Sequence, residues 1–294
     1  MAIVDDPTKL RVRQLQCKFI LQSGEFKQGY NTKIIDDNTI NALVTKTMSN
    51  NFTNSADIIV YGMNDSDIAA LSTLGYTPII YELNHIELYA QYEDDSESLC
   101  FKGYIVKAWC EFSDPNRPMH FQCQETYQNS IESVDPINIK GSSDVIDLFS
   151  NLASKLSLSL QNNGVSGIMN NPILTGSTID QLKTLSKQTE VNCVVDNGKL
   201  KISPKGFSLT TEILNINSES GLLSYPTIDA WGVKFRIRYN PVLNIGQYIA
   251  LQTKVKIPKA TGKWFVYDMQ SSLNNRHENW FTDLRCSYNN LDFS

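Results

Sequence analysis

The chain has 294 residues, 41% of them hydrophobic, and a formal net charge of −5. This length allows two or three domains with ordinary hydrophobic cores. The charge is uneven: residues 1–136 hold 10 Lys/Arg against 19 Asp/Glu, residues 137–206 hold 7 against 5, and residues 207–294 hold 9 against 7. An acidic first third repels phosphates and argues against a protein that grips nucleic acid. It is typical of a solvated surface and would also suit a channel wall that DNA passes without sticking.

The rarer residues exclude further classes of protein. The six cysteines stand singly, with no C-x-x-C pair and no histidine at metal-ligand spacing, so zinc and redox motifs are absent. The sequence shows no signal peptide and no run of about 18 apolar residues. It therefore predicts a soluble protein made in a reducing cytoplasm, without membrane insertion, metal or cofactor.

The first third is predicted to be mainly β with one inserted helix, and we place a first β domain at residues 1–136. Residues 1–14 are polar and are expected to be a loose start. Asn64 or Ser66 can begin the helix, and Gly75 can end it. Alternating apolar residues predict strands at 16–21, on either side of 36–38, and at 56–62, 86–90, 101–112 and 119–125.

The middle of the chain is predicted to be a small α/β domain at residues 137–206. Ser143 can begin a helix that runs to about Leu158. Ser177 forms a capping box with Asp180 at the start of a second helix. Apolar residues recur along that helix at spacings of three, at Ile179, Leu182 and Leu185.

A β-hairpin follows the second helix. Asn197-Gly198 is the strongest short-range hairpin signal, because a type I′ turn needs positive φ at both central residues. A two-residue turn places Asp196 opposite Lys199 and sets the register. One face is then apolar and is predicted to receive the helix, with Val191, Cys193, Val195, Leu200 and Ile202. Lys199 and Lys201 on the outside are expected to be free to touch a neighbour, and substitutions at Asn197 or Gly198 are expected to damage folding or assembly.

The last third, residues 207–294, is predicted to be a second β domain that repeats the first. Strands are predicted at 233–239, 247–257, 264–270 and 280–288. One constant offset in residue number aligns three successive strands. It pairs Ile86 with Ile249, Leu88 with Leu251, Phe101 with Trp264, Tyr104 with Tyr267, Phe121 with Leu284 and Cys123 with Cys286. The second copy has no room for the helix of the first.

No catalytic constellation is found in the sequence. It contains no G-x-S-x-G, P-loop, G-x-G-x-x-G or H-E-x-x-H motif, and its three histidines lie far apart. A glycosidase needs two carboxyl groups, one of them with a raised pKa. Asp94, Asp95 and Glu97 are instead predicted to form an acidic surface loop. The segment from Arg276 to Trp280 could be a site, but it is better explained as a turn that leads into a strand.

Two other groups of residues have alternative interpretations. One face of a predicted strand carries Lys234, Arg236 and Arg238, which could bind phosphate or could face solvent or another subunit. Exposed, clustered tryptophans would favour carbohydrate binding. Each candidate lies in a strand pattern that favours a core or interface position instead: Trp109, Trp231 and Trp264.

The segment 162–206 resembles the middle segment of baseplate hub proteins of tailed bacteriophages and prophages. It runs from an N-N-G-V turn through G-S-T-I-D-Q-L to the D-N-G-K-L hairpin and P-K-G. The first third is similar too, in ADIIVYGMNDSDIAALSTLG and FKGYIVKAWCEFSDPNRPMHFQCQE, and so is the last, in GLLSYPTIDAWGVKFRIRYNPVLNIGQYIAL and WFTDLRCSY. The resemblance covers about residues 15–290. Cys193 and Val194 depart from it, because an aromatic residue is common there.

The resemblance implies an α+β fold, mainly β, in which two similar tail-tube-like β-barrel or sandwich domains flank the small α/β domain. It implies a homotrimer whose six tube-like domains form a ring. That ring would match the hexameric tail tube, hold the central spike below and let DNA pass through its lumen without specific binding. The partners would be other copies of the chain, the tail tube protein, the spike and other baseplate proteins.

A hub of this kind is structural and is expected to have no enzymatic activity. It would be assembled in the host bacterial cytoplasm and would lie in the tail baseplate of the virion. The alternatives are a tail-associated peptidoglycan hydrolase, for which no segment is left over, and a carbohydrate-binding tail module. The candidate structural or interface residues are Asn197, Gly198, Lys199, Lys201, Lys234, Arg236, Arg238 and Trp280.

Overall fold

A computed structural model describes residues 12–48, 52, 54–73, 83–92, 96–132, 134–228, 231–253 and 260–288. The first part of the chain forms β1 (Arg13–Ile20), β2 (Thr32–Ile35), β3 (Ile40–Thr47), β4 (Ser55–Val60), α1 (Asp65–Leu71), β5 (His85–Tyr92), β6 (Ser98–Cys110) and β7 (Met119–Gln124). The predicted strands are therefore present, although β1 begins at Arg13, inside the expected loose start. Asn64 caps α1, whereas Gly75, its predicted end, lies outside the described residues.

The middle part contains α2 (Tyr127–Ile131), β8 (Ile137–Asn138), β9 (Ser142–Asp144), α3 (Val145–Lys155), β10 (Ser159–Asn162), β11 (Ile168–Asn170), β12 (Ile173–Leu174), α4 (Thr178–Thr189), β13 (Val191–Asp196) and β14 (Lys199–Pro204). The capping box of Ser177 and Asp180 on α4 is confirmed. The predicted cap of α3 is wrong by one residue. The side chain of Asp144 accepts from the backbone N–H of Ile146, while Ser143 pairs with Met169 in a short antiparallel ladder.

The last part contains β15 (Leu214–Ile216), β16 (Thr227–Ile228), β17 (Gly232–Arg238), β18 (Tyr248–Leu251), β19 (Gly262–Asn274) and β20 (Trp280–Ser287). Strands from both ends of the chain share one 13-stranded sheet, in the order β16-β17-β20-β19-β3-β4-β7-β6-β5-β1-β2, with β18 on β19 and β15 on β18. The predicted strand at 247–257 is shorter than expected, and residues 254–259 lie outside the described residues. In the described part of the chain, no helix has the length and apolar character needed to span a membrane.

The sheet contains the same four-stranded unit twice. The order β4-β7-β6-β5 recurs as β17-β20-β19-β18. Ala56 lies opposite Cys123 in the first unit, as Val233 lies opposite Cys286 in the second. Each unit also has a bulge at the same place, between Ile105 and Lys107 in β6 and between Val266 and Asp268 in β19. We call these units the first and second repeat.

The registers correct part of the predicted alignment. Ile86 lies opposite Gly103, and Ile249 lies opposite Trp264. Trp264 therefore corresponds to Gly103 and not to Phe101, and Tyr267 corresponds to Val106 and not to Tyr104. Strands β5 and β7 correspond to β18 and β20 with the predicted offset in residue number. Strand β6 corresponds to β19 with an offset that is smaller by two residues. Because side chains alternate with a period of two, such a shift keeps every side chain on its predicted face.

Three hydrophobic clusters form the interior. The first lies in and beside the first repeat, around Phe19 of β1, Phe101 and Phe121. The second lies in the second repeat around Phe235 and Phe265. In the third, helices α3 and α4 cover the three-stranded sheet β10-β14-β13. Its residues include the predicted helix stripe and hairpin face: Ile179, Leu182, Leu185, Val191, Cys193, Val195, Leu200 and Ile202.

The two repeats are joined edge to edge by β3. This strand pairs with β4 on one side and with the C-terminal half of β19 on the other. Val44 lies opposite Ser271, and Ala42 lies opposite Leu273. The joint is reinforced by Trp280, which begins β20 but is buried in the first cluster. The first and last thirds of the chain are therefore one continuous structure.

Candidate functional site at the junction of the three parts

The tip of the β13–β14 hairpin is inserted against the first repeat. Its predicted register is confirmed, with Asp196 opposite Lys199 and Cys193 opposite Ile202. Asn197 and Gly198 have φ values of 52° and 80°, as a type I′ turn requires. The Asn197 side chain donates to the Leu99 carbonyl at 2.9 Å. The turn therefore closes the hairpin and also contacts the start of β6.

Next to this turn lies a buried ion network that touches all three parts of the chain. Asp196 accepts from Lys46 Nζ of β3 at 2.5 Å and from Lys201 Nζ of β14 at 2.7 Å. Lys201 Nζ also donates to Asn244 Oδ1, in the loop before β18, at 3.1 Å. The side chains of Lys46, Lys201 and Asp196 are 12%, 8% and 4% exposed. We call these four residues the junction network.

The electrostatics of the junction network favour the charged forms. Burial by itself would raise the pKa of Asp196, but the ammonium groups of Lys46 and Lys201 outweigh it and hold that pKa well below its usual range. Burial would likewise lower the pKa of Lys46, but the charge and hydrogen bond of Asp196 raise it. Each ion is stabilised by a partner that is also out of water, so removal of either one leaves an unpaired buried charge.

Glu125, which follows β7, lies beside the network, and its pKa is shifted in the opposite direction to that of Asp196. Its carboxylate accepts from Asn54 Nδ2 at 2.9 Å and from the Gly198 N–H at 3.3 Å. Asn54 also donates to the Val195 carbonyl at 2.7 Å. Burial and the negative charge of Asp196 raise the pKa of Glu125 to about 7, although Lys46 and these hydrogen bonds favour the carboxylate. Glu125 is therefore a group of this junction whose charge changes near neutral pH.

This arrangement holds the hairpin against the two repeats. The carboxylates of Asp196 and Glu125 are engaged by donors of the chain itself. Within the described ranges, no group of three or more His, Cys, Asp or Glu could hold a metal ion. A cleft of about 330 Å³ beside Glu125 is lined by side chains that include His85, Lys102 and Tyr104. The contacts of the site hold the hairpin in place between the two repeats.

The outer face of the hairpin does not lie where the sequence pattern placed it. Lys199 is exposed as expected, but the expectation that Lys201 is free to touch a neighbour is wrong, because it is buried and bonded within the chain. Val194 on the same face packs into the second cluster, and Asp196 is buried as well. The hairpin is thus covered on both faces, by its helices on one and by the repeats on the other.

The other predicted residues lie away from the network. Lys234 is exposed on β17, and Arg236 pairs with Asp283 through two contacts of 2.8 Å and stacks over Phe281 at 3.7 Å. Arg238 is half-buried on the same face. Glu97 is exposed, while Asp94 and Asp95 lie outside the described residues. Of the three tryptophans, Trp264 is buried, Trp109 is half-buried and stacked on His120, and Trp231 is exposed, so they do not form an exposed cluster.

Trp280 is a structural residue at the joint between the repeats. It is 2% exposed and contacts the rings of Tyr92 and Tyr239, with the Arg13 guanidinium over its face. Tyr239 also shares a hydrogen bond of 2.8 Å with Cys100. The cluster therefore joins β1, β5 and β6 to the second repeat. The loop before Trp280 is the predicted turn into a strand.

Sequence reasoning missed Lys46, Asn54, Glu125 and Asn244. Lys46 and Glu125 lie at strand ends, where a polar residue normally marks exposure to solvent. Their partners lie 150 and 73 residues further along the chain. The one local signal is Asp196, directly before the Asn-Gly turn, where the pattern predicts half of an exposed cross-strand pair.

Comparisons with known proteins agree with this architecture. The family model described as "Baseplate hub gp41" matches residues 16–286. No curated protein matches the chain by sequence. A tail protein from Neisseria meningitidis has a TM-score of 0.64 at 10% identity, over 93% of this chain and 96% of its own. The 43 kDa tail protein of prophage MuSo2 from Shewanella oneidensis has 0.60 at 9%, over 94% and 96%.

A third similar structure comes from a secretion system. It is a type VI component from E. coli, described as similar to the T4 bacteriophage tail proteins gp27 and gp5. Its TM-score is 0.56 at 7% identity, over 87% of this chain and 74% of its own. At these identities the structural matches show a shared fold, and the family match rests on the sequence itself.

Proposed function

Since the chain belongs to the baseplate hub gp41 family, it is a structural component of a phage tail baseplate, and we propose that it works there as a homotrimeric adaptor between the hexameric tail tube and the central spike. It is part of the virion, and we propose that it is assembled in the host cytoplasm. Its proposed partners are two further copies of itself, the tube protein, the spike and other baseplate proteins. We propose that the role requires no catalysis.

The observation that carries this proposal is the four-stranded repeat. Two units with the same strand order and the same bulge stand side by side in one sheet. Three chains would then supply six such units, one for each subunit of a hexameric tube. Each of the three subunits of a trimeric spike would contact one hub chain. The junction network supports the role, because it fixes the small domain rigidly on the paired repeats.

The remaining features agree with this arrangement. We propose three domains, at residues 1–136, 137–206 and 207–294, of which the first and third share one continuous sheet and form the ring. We also propose that DNA passes through its lumen without specific binding, since the first domain carries 19 acidic against 10 basic residues. The similarity of the E. coli type VI component to phage tail proteins supports a shared role as a tail part.

Native mass spectrometry of the purified protein, alone and with its spike, tests the adaptor. We expect three times the chain mass of 33.2 kDa, alone or once the spike is added, and a complex that contains three hub chains. The spike measured alone is the control for its own oligomeric state. A hub that stays monomeric under both conditions would contradict the proposal.

The alternative of a peptidoglycan hydrolase is tested separately. We expect no release of fragments from purified cell wall by the native protein. Activity that disappears when Asp94, Asp95 and Glu97 are changed to amides would reverse the conclusion. A carbohydrate-binding module is not favoured, because only Trp231 of the three candidate tryptophans is exposed.

A further inference from the structure

The repeat relates the joint between the two units to two surfaces at the ends of the chain. Strand β3 pairs with β4 as β16 pairs with β17. Val44 lies opposite Ala56, and Ile228 lies opposite Val233, the counterpart of Ala56. Ile228 in the second repeat therefore corresponds to Val44 in the first. By the same step, Thr227 corresponds to Leu43.

The surface that receives β3 also has a counterpart. Strand β3 pairs with the C-terminal half of β19, where Val44 lies opposite Ser271 and Leu43 lies opposite Ser272. The shared bulge aligns β19 with β6, so that Asp268 takes the place of Lys107. From this alignment, Cys110 corresponds to Ser271 and Glu111 to Ser272. If the internal joint recurs between chains, Ile228 of one copy lies opposite Cys110 of the next, and Thr227 lies opposite Glu111.

Each of these surfaces lies at an edge of the sheet. Strand β16 ends the strand order, with β17 on its inner side. On β6, pairing with β5 stops at Tyr104. Among the described residues, hydrogen bonds on that side beyond Ile105 are those between Thr73 and Ala108. Thr73 thus occupies the β6 edge at Ala108, and no described residue forms a backbone hydrogen bond with this edge at Cys110.

Exposed apolar side chains lie at or near both edges. This observation does not depend on the alignment of the two repeats. Ile228 and Tyr225 on the β16 side are 58% and 72% exposed, and Phe112, two residues beyond β6, is 67% exposed. Large apolar side chains that meet at an exposed sheet edge favour strand addition from another chain. Because the complementary joint is already formed inside this chain, the partner that fits is a second copy.

We propose that β16 of one copy adds to the C-terminal end of β6 in the next copy, antiparallel, with Thr227 opposite Glu111 and Ile228 opposite Cys110. The contact is head-to-tail, so each copy uses both edges and a ring can close. The inference rests on the proposed homotrimer and names the surface that forms it.

Disulfide trapping tests the register directly. Directly opposite residues of antiparallel strands have Cα atoms about 4.5–5.5 Å apart, which is within disulfide range. In a Cys110→Ala background, the double variant Glu111→Cys/Thr227→Cys is expected to give covalently linked oligomers on a non-reducing gel. Each single cysteine variant in the same background is the control and should remain a single chain. Both substituted positions are exposed, which favours normal folding.

A second test weakens the contact by charge. Ile228→Asp is expected to raise the dissociation constant of the trimer at least tenfold, measured by mass against concentration, with the thermal unfolding midpoint of the chain unchanged. Ile168→Asp is the matched control, because Ile168 is 72% exposed but lies in the small domain. Its trimer should persist.

The outcomes separate this inference from the proposed function. A trimer that forms normally, gives no link in the double variant and is unaffected by Ile228→Asp would overturn the proposed surface and leave the adaptor intact. A chain that stays monomeric with and without its spike would overturn both. If the trimer needs the spike, the trapping is carried out in that complex, with the same expected result.

Discussion

At the residue scale, Asp196 decides the stability of the junction. Its carboxylate neutralises two lysines that come from different parts of the chain and are both largely out of water. A buried pair of ions contributes little net stability when complete, but loss of one partner is costly. The main effect of Asp196 is therefore to compensate the buried charges of Lys46 and Lys201.

Replacement of Asp196 by Asn is expected to lower the free energy of unfolding by about 3–5 kcal/mol, because two buried ammonium groups lose their counter-ion. Urea denaturation at pH 7 measures it. The matched control is Asp283→Asn, which breaks a partly exposed pair with Arg236 and should cost about 1 kcal/mol or less. Equal losses in both variants would contradict the role of the network.

Glu125 gives the junction a pH dependence of known sign. Its pKa is raised to about 7 in the folded chain, whereas an unperturbed Glu has a pKa of about 4.3. Between these values the folded state holds a proton that the unfolded state has released. The contribution of Glu125 to the free energy of unfolding therefore falls as pH rises through this window and levels off above it.

Glu125→Gln removes this contribution, since the amide does not ionise. We expect the variant to gain stability relative to the native protein between pH 5 and pH 8, by on the order of 2 kcal/mol. Denaturation curves of both proteins across this range measure the difference. Glu97→Gln, at an exposed carboxyl, is the control for the substitution itself and should change the stability little. A constant difference between Glu125→Gln and the native protein would show that Glu125 does not titrate as described.

Little of the junction network could be predicted from residue patterns. The alternation of β14 places Lys201 on a polar face, and a polar face normally means solvent. The structure instead covers that face with the two repeats, and the lysine is retained because Asp196 and Asn244 bond it. Such burial depends on contacts between distant segments, which local spacing does not encode.

At the element scale, the β13–β14 hairpin is the most predictable part of the molecule. The Asn-Gly turn determines its register, the capping box determines the start of α4, and both are confirmed. Local chemistry decides these features within a few residues. The contacts of the turn with Leu99 and Glu125 could not be predicted, because they join segments 98 and 73 residues apart.

Gly198→Val is expected to destabilise the chain by about 1–2 kcal/mol, since Gly198 has a φ of 80° and a β-branched residue in that region is strained. We also expect less hub to be incorporated into particles. Thermal unfolding and the yield of assembled tails measure the two effects. Gly198→Asn is the matched control, because Asn tolerates this conformation better, and it should retain most of both.

The strand alignment shows a second limit of pattern reading. One shared offset is predicted for all three strands, and two of the three follow it. The middle strand is shifted by two positions, with Trp264 at the place of Gly103. Gly103 has no side chain, and a Cβ there would meet the ring of Phe101 at 2.8 Å. Phe101 thus fills from two residues away the space that an aromatic at the Gly103 position would take.

At the scale of the whole molecule, the two repeats are expected to unfold together. They share the continuous sheet through β3 and β19, and Trp280 of the second repeat lies in the cluster of the first. The mainly β class and the repeat could be predicted from alternation and self-similarity. The β3–β19 pairing could not, because its two strands come from opposite ends of the chain and each edge is patterned like any other strand.

Trp280→Ala is expected to lower the free energy of unfolding by about 3–5 kcal/mol while the thermal transition remains single. Differential scanning calorimetry measures both. Tyr30→Ala is the control, since Tyr30 is 69% exposed, and it should change the midpoint little. Two separate transitions in the Trp280 variant would show that the repeats are independent units.

Helix α1 has no counterpart in the second repeat, where residues 239–247 alone separate β17 from β18. In a ring of three chains the strands would present six matching units, but α1 would mark every second one. Of the six rotations that superpose the strands, three would superpose the helices as well. A sixfold partner that contacts only the strands could then bind the ring in any of six rotational orientations. A partner that also contacts α1 is restricted to three.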